Sequence, residues 1–175
     1  MIEQKPSSVS SRRILFLMTL GTLLLGASVP SVLPTKLVWN ASPSVPTGLY
    51  IINNIAPSRG DLVLVQLPKW VRLIADQRGY LPSNVPALKR ISALSGDHVC
   101  RFDRSIFINK VKVATAHLID NQLRNMPHWY GCRTLSNDEV FLLADHSNSF
   151  DGRYFGVTKM SKIIGVAHPI WTDEQ

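Results

Sequence analysis

From Ile14 to Leu33 the chain reads ILFLMTLGTLLLGASVPSVL, without one charged side chain. That stretch constrains the architecture more than any other feature, because about 20 apolar residues in a helix span the hydrocarbon core of a bilayer. Lys5, Arg12 and Arg13 precede it with only Glu3 to offset them, and a basic flank holds the N-terminus on the cytoplasmic side. Two readings stay open: a retained anchor, which is preferred, or a secretory signal segment cut near Gly26-Ala27-Ser28, where the residues become small. Either way the chain divides into a cytoplasmic N-terminus (1–13), a transmembrane or signal segment (14–33) and an exported domain (34–175). In a bacterium that domain faces the periplasm, anchored at the inner membrane.

Composition narrows the exported part. With 45% hydrophobic and 18% charged residues, a disordered chain, a charged coiled coil and a collagen-like repeat are excluded. The net charge of +5 on residues 34–175, from 16 basic and 11 acidic side chains, raises the question of nucleic acid, but the basic residues are scattered and no nucleic-acid motif is present, so no such partner is expected. Cys100 and Cys132 are the two cysteines. Their separation fits no zinc-ligand pattern, although His98, His117 and His128 lie in the same region, and neither metal nor other cofactor is expected. In an oxidising compartment the pair reads as one disulfide, stabilising the domain by about 3–4 kcal/mol on the loop-entropy model.

Beyond the apolar stretch, Asn40 to Gly48 (NASPSVPTG) reads as a presented loop. Leu49–Ile52, Asp61–Leu67, Leu88–Leu94, His98–Phe102, Phe141–Ala144 and Ile163–His168 are short β-branched and aliphatic runs between turn residues, which is the strand signature. Ser105–Ala114 fits a hairpin turning at Asn109-Lys110. Between Pro68 and Gly79 the positions Trp70, Leu73 and Ile74 follow helical spacing and predict one short helix. The expected fold is therefore mainly β, a compact antiparallel domain with one short helix.

Three separated segments carry the chemistry. In Ser42-Pro43-Ser44-Val45-Pro46-Thr47-Gly48, a serine between prolines can be held at a loop edge with its hydroxyl accessible. In Leu88-Lys89-Arg90-Ile91, a lysine flanked by apolar residues can be turned inward, and a lysine acts as a base near neutral pH only if desolvation lowers its pKa by several units. In Ala144-Asp145-His146-Ser147-Asn148-Ser149-Phe150-Asp151-Gly152-Arg153, the consecutive Asp, His and Ser cannot form a relay, because triad members meet through the fold. There Asp151 and Arg153 are expected to pair and shape the loop, while Ser149 offers a hydroxyl to orient a neighbouring amine.

In this order, after an N-terminal apolar segment, these segments resemble the serine, lysine and Gly-Asp-x-x-x-x-Ser-x-Asp-x-Arg boxes of the type I signal peptidases, peptidase family S26. Within these the chain is most similar to the TraF-type conjugative transfer peptidases, whose Ser-x-Pro-x-Gly-Leu-Tyr form of the first box it carries at Ser44 to Tyr50. The resemblance implies a signal-peptidase-like β-domain and a Ser-Lys dyad, with Ser44 as nucleophile and neutral Lys89 as general base. It also implies Ser42 as an oxyanion donor beside the Ser44 N–H, Ser149 bonded to the Lys89 amine, and Asp151, paired with Arg153, as a support or a direct participant. The first box has one residue fewer between Ser and Pro than the housekeeping enzymes, and Ser44 is chosen over Ser42. The third box begins Ala-Asp-His where those enzymes have Gly-Asp-Asn.

The implied substrate is an exported small protein, foremost the pilin precursor of a conjugative transfer apparatus, released by water or closed into a ring by an amine of the same pilin. The rivals are a general leader peptidase and a non-enzymatic scaffold of pilus assembly.

Overall fold

The computed structural model describes residues 36–173, together with Leu15, Phe16 and residues 18–20, which are helical. The expected transmembrane or signal helix over 14–33 and the N-terminus 1–13 otherwise lie outside the described residues. Among the described residues no helix is long and apolar enough to cross a membrane.

In chain order the elements are β1 (Lys36–Asn40), β2 (Gly48–Asn53), β3 (Leu62–Val65), α1 (Lys69–Gln77), β4 (Ala87–Ala93), β5 (His98–Phe102), β6 (Ser105–Ile108) and β7 (Val111–Thr115). There follow β8 (Gly131–Thr134), β9 (Glu139–Leu143), α2 (Gly152–Phe155), β10 (Thr158–Lys159) and, after a 3-10 turn, β11 (Ile163–Thr172). Seven strands form one sheet in the order β1-β2-β11-β3-β4-β9-β10, and four form a second in the order β7-β6-β5-β8. Every pairing between these strands is antiparallel. The mainly β, antiparallel architecture agrees with the expectation from sequence.

The apolar run of β3 is buried at all of its positions, as a strand covered on both faces must be. Side-chain alternation then sorts the core. Val63 and Val65 pack with Ile91, Val140, Leu142 and Val166, while Leu62 and Leu64 pack with Tyr50, Ile52, Leu88 and Val45. A third cluster joins Ala93, Phe141 and Leu143 of the large sheet to Val99, Ile106 and Ile108 of the small one. Lys89 shares its β4 face with Ala87 and Ile91 and lies opposite Val63 in register, so a charged residue type enters the first of these cores.

Four details differ from the expectations. A second helix is present, the four-residue α2. The first forms where expected, but it buries Val71 and Ala75 and leaves Trp70 and Leu73 exposed; an i,i+4 pair, not the larger side chains, makes its inner face. Strands β1 and β8 and the two-residue β10 lie outside the runs that read as strands. Strand β11 runs on past His168 through Pro169, whose missing N–H is accommodated by a register shift between Pro169 and Trp171.

Candidate active site

Strands β1 and β2 form a hairpin whose last register pair is Asn40 and Gly48, and the loop they close presents Ser42 and Ser44. Pro43 and Pro46 deprive this loop of two backbone donors, so its carbonyls need a donor from elsewhere. Asn40 supplies it. Its side-chain amide donates toward the carbonyls of Ser42 (2.8 Å), Pro46 (3.0 Å) and Val45 (3.2 Å), and its Oδ1 accepts the Ser42 N–H (3.1 Å). The Tyr50 hydroxyl donates to the Pro46 carbonyl at 2.7 Å. Neither role follows from residue type or spacing alone; for Asn40 the available signal is a side-chain amide directly ahead of a loop whose two prolines remove backbone donors. Ser42 Oγ and Ser44 Oγ lie 2.9 Å apart, hydrogen-bonded to each other, and the Ser44 N–H donates to Ser42 Oγ at 3.4 Å.

Lys89 is brought in by β4 and is buried. Burial pushes its amine below the ordinary lysine value; the charge of Asp151 opposes the shift and that of Arg153 adds to it. Asp151, fully buried, caps α2: Oδ1 accepts the Arg153 N–H at 3.0 Å and Oδ2 the Ala144 N–H at 2.8 Å. Arg153 Nη1 pairs with Asp151 Oδ2 at 3.2 Å, the internal pair expected from the sequence. Burial pushes the Asp151 carboxyl upward, while Lys89, Arg153 and the two N–H donors pull it back. The Arg153 guanidinium also donates to the carbonyls of Ala144, His146 and Ser147, so one side chain ties down the loop that follows β9. Gly152 is required by contact: a Cβ there would stand 2.5 Å from the Leu142 carbonyl oxygen.

The loops meet. The His146 N–H donates to the Ser44 carbonyl at 3.3 Å, and Val45 packs in the same cluster as Leu88. Two expected bonds are not made in this structure. Ser44 Oγ is bonded to Ser42 Oγ and not to Lys89 Nζ. Ser149 Oγ is buried without a hydrogen-bond partner among the described residues, so the expected bond to the Lys89 amine is absent; the turn places the hydroxyl inside but does not aim it. Catalytic hydrogen bonds commonly tighten only with substrate present.

Cys100 and Cys132 face each other across β5 and β8 and are joined by a disulfide. His98 is near them, but sulfurs bonded to each other are not thiolate ligands.

A β-domain with a buried lysine, a serine loop and an Asp-x-Arg loop defines a class, and comparison with known proteins agrees: the model of the family "Signal peptidase, peptidase S26" matches residues 11–172, and the chain belongs to that family. More particularly, it is 34% identical over 145 residues to the plasmid transfer protein TraF of Escherichia coli, covering 76% of this chain and 81% of that protein. It is 30% identical to the conjugal transfer protein TraF of Agrobacterium fabrum, covering 94% of this chain and 98% of that protein. Among solved structures, a signal peptidase I from Enterococcus faecalis aligns with a TM-score of 0.39 at 21% identity, over 65% of this chain and 98% of that one.

Proposed function

We propose that the chain is a serine endopeptidase with a Ser44-Lys89 dyad, acting at the periplasmic face of the inner membrane on the pilin precursor of a conjugative type IV secretion apparatus. The observation that carries the reading is Lys89: a lysine buried in β4, its amine lowered by desolvation and acted on by the charges of Asp151 and Arg153, whose loop bonds the carbonyl of the half-buried Ser44 through the His146 N–H. A solvated surface lysine has no reason to occupy that position, because burying an ammonium without need costs several kcal/mol.

In the proposed reaction the Ser44 hydroxyl leaves Ser42 and gives its proton to the neutral Lys89 amine as Oγ attacks the scissile carbonyl. The Ser44 N–H and the Ser42 hydroxyl stabilise the oxyanion. Lys89 returns the proton to the leaving amine, and an acyl ester on Ser44 remains. Water attack then yields a free carboxylate; attack by an amine of the same pilin forms an amide and closes a ring. Both routes regenerate the Ser44 hydroxyl.

The test is processing of the pilin precursor by full chain in detergent micelles, followed by mass spectrometry. Ser44→Ala and Lys89→Ala are each expected to lower processing by at least about 1,000-fold with the fold intact by circular dichroism. Mature pilin from both variants would sink the proposal. A product mass lower by one water than the trimmed peptide identifies ring closure.

A further inference from the structure

We propose that Asn40 is a positioning residue of the reaction, holding Ser42 so that its hydroxyl serves Ser44; the inference rests on the dyad reading above. The geometry is specific. Asn40 is buried at the end of β1, and its side chain satisfies both backbone polar groups of Ser42, the N–H at 3.1 Å and the carbonyl at 2.8 Å. A residue gripped at both groups has its backbone held and with it the direction in which its Cβ leaves the chain, so that its hydroxyl is left with the few staggered positions about that bond. That hydroxyl is the atom 2.9 Å from Ser44 Oγ and 3.4 Å from the Ser44 N–H. The same amide reaches the carbonyls of Val45 and Pro46 on the far side of Ser44, so the nucleophile is bracketed by contacts from one side chain.

The chemistry requires an amide. Nδ2 faces three carbonyl oxygens and Oδ1 faces an N–H, so the assignment of the two atoms follows from their partners. Two protons shared among three carbonyls leave one bond bifurcated. An aspartate would be isosteric but would turn an oxygen toward those carbonyls, and an alanine would leave them without donors in a loop that has lost two N–H groups to proline. Asn40 touches neither the scissile bond nor Lys89 on this view; it acts through Ser42.

The experiment compares full chain carrying Asn40→Ala, Ser42→Ala and both, with the pilin precursor as probe. Asn40→Ala is expected to lower kcat about 10- to 100-fold, less than the roughly 100- to 1,000-fold of losing an oxyanion donor outright because Ser42 is misplaced and not removed, with KM within about threefold and an unchanged midpoint of the pH profile. In the Ser42→Ala background the further loss should be under about threefold, since both substitutions remove the same placement. A residue that merely stabilises the fold would give losses that multiply, and multiplying losses overturn the proposal, as does full kcat in Asn40→Ala. Asn40→Ser, which keeps one small hydrogen-bonding group, serves if the alanine chain is unfolded; its kcat should be intermediate, and wild-type kcat there overturns the proposal too. Ser44→Ala in parallel separates the readings: activity surviving that substitution defeats the dyad, whereas activity lost with Ser44→Ala but kept with Asn40→Ala defeats the positioning role alone.

Discussion

Asp151 and Arg153 act on Lys89 in opposite senses, and the difference decides what a substitution does. The anionic carboxylate favours the ammonium and the guanidinium disfavours it, so by pairing with Asp151 at 3.2 Å Arg153 cancels the charge that would keep the base protonated. The neutral amine is the active form, and activity therefore rises with pH through the Lys89 pKa. Asp151→Asn deletes the opposing charge and leaves Arg153 uncancelled, so that pKa falls further and the rising limb of kcat/KM moves to lower pH. Asparagine can still accept the Ala144 N–H, and the plateau rate is expected within about tenfold of wild type, the cost of roughly one charge-assisted hydrogen bond. A pH-rate profile checks this. A plateau lowered by about 100-fold or more with the limb unmoved would instead make Asp151 a direct proton-transfer group.

At the scale of elements, the serine loop depends on the root of its hairpin. Gly48 has φ +141°, and a Cβ there would stand 2.2 Å from the Trp171 carbonyl oxygen and 2.7 Å from the Thr172 Cα. Gly48→Ala must therefore part β2 from β11 beneath the loop, and a loss of about 2–4 kcal/mol is expected in urea unfolding, together with lower kcat. Gly60→Ala is the control: it also has positive φ, but nothing lies within 4 Å of the added atom, and about 1 kcal/mol is expected. Equal losses would mean that backbone conformation alone, not the contact with β11, sets the cost. The elements differed in how far the sequence disclosed them, for local reasons. The hairpin at Asn109-Lys110 turns where expected, with φ of 51° and 72°, because both residues lie in the left-handed region that a two-residue hairpin demands. Strand β1 gave no such signal: Leu37 and Trp39 are exposed on an edge, so no buried alternation marks it. Strand β8 (GCRT) is largely exposed and is defined by its pairing with β5. In the site, the buried lysine and the Asp151-Arg153 pair follow from nearby residue types, whereas the Asn40 contacts appear only when the loop folds back, and the direction of the Ser149 hydroxyl is set by packing that no spacing encodes.

On the scale of the whole domain, the small sheet supplies no candidate for proton transfer, yet β5 and the segment between β7 and β8 brace the helix that carries Arg153. Arg101 of β5 donates to the Arg153 carbonyl, Trp129 Nε1 donates to the Gly152 carbonyl at 2.9 Å, and the His117 N–H donates to the Tyr154 hydroxyl at 3.0 Å. The Cys100–Cys132 disulfide sits between these braces: Cys100 precedes Arg101, and Cys132 lies in the strand that follows Trp129. It closes a separation of 32 residues, and removing that constraint on the unfolded chain is expected to lower stability by about 3–4 kcal/mol. The paired substitution Cys100→Ala with Cys132→Ala should therefore shift the urea midpoint down. Dithiothreitol should shift the wild type similarly and leave the substituted chain unaffected. Because the braces loosen with the sheet, kcat should fall as well under conditions where circular dichroism still reports a folded domain, while the pH limb stays where it is, since no charge near Lys89 has changed. A wild-type midpoint indifferent to reductant would remove the disulfide from the stability account, and a weakened sheet with unchanged kcat would show that α2 holds its place through the Asp151 cap and the Arg153 clamp alone.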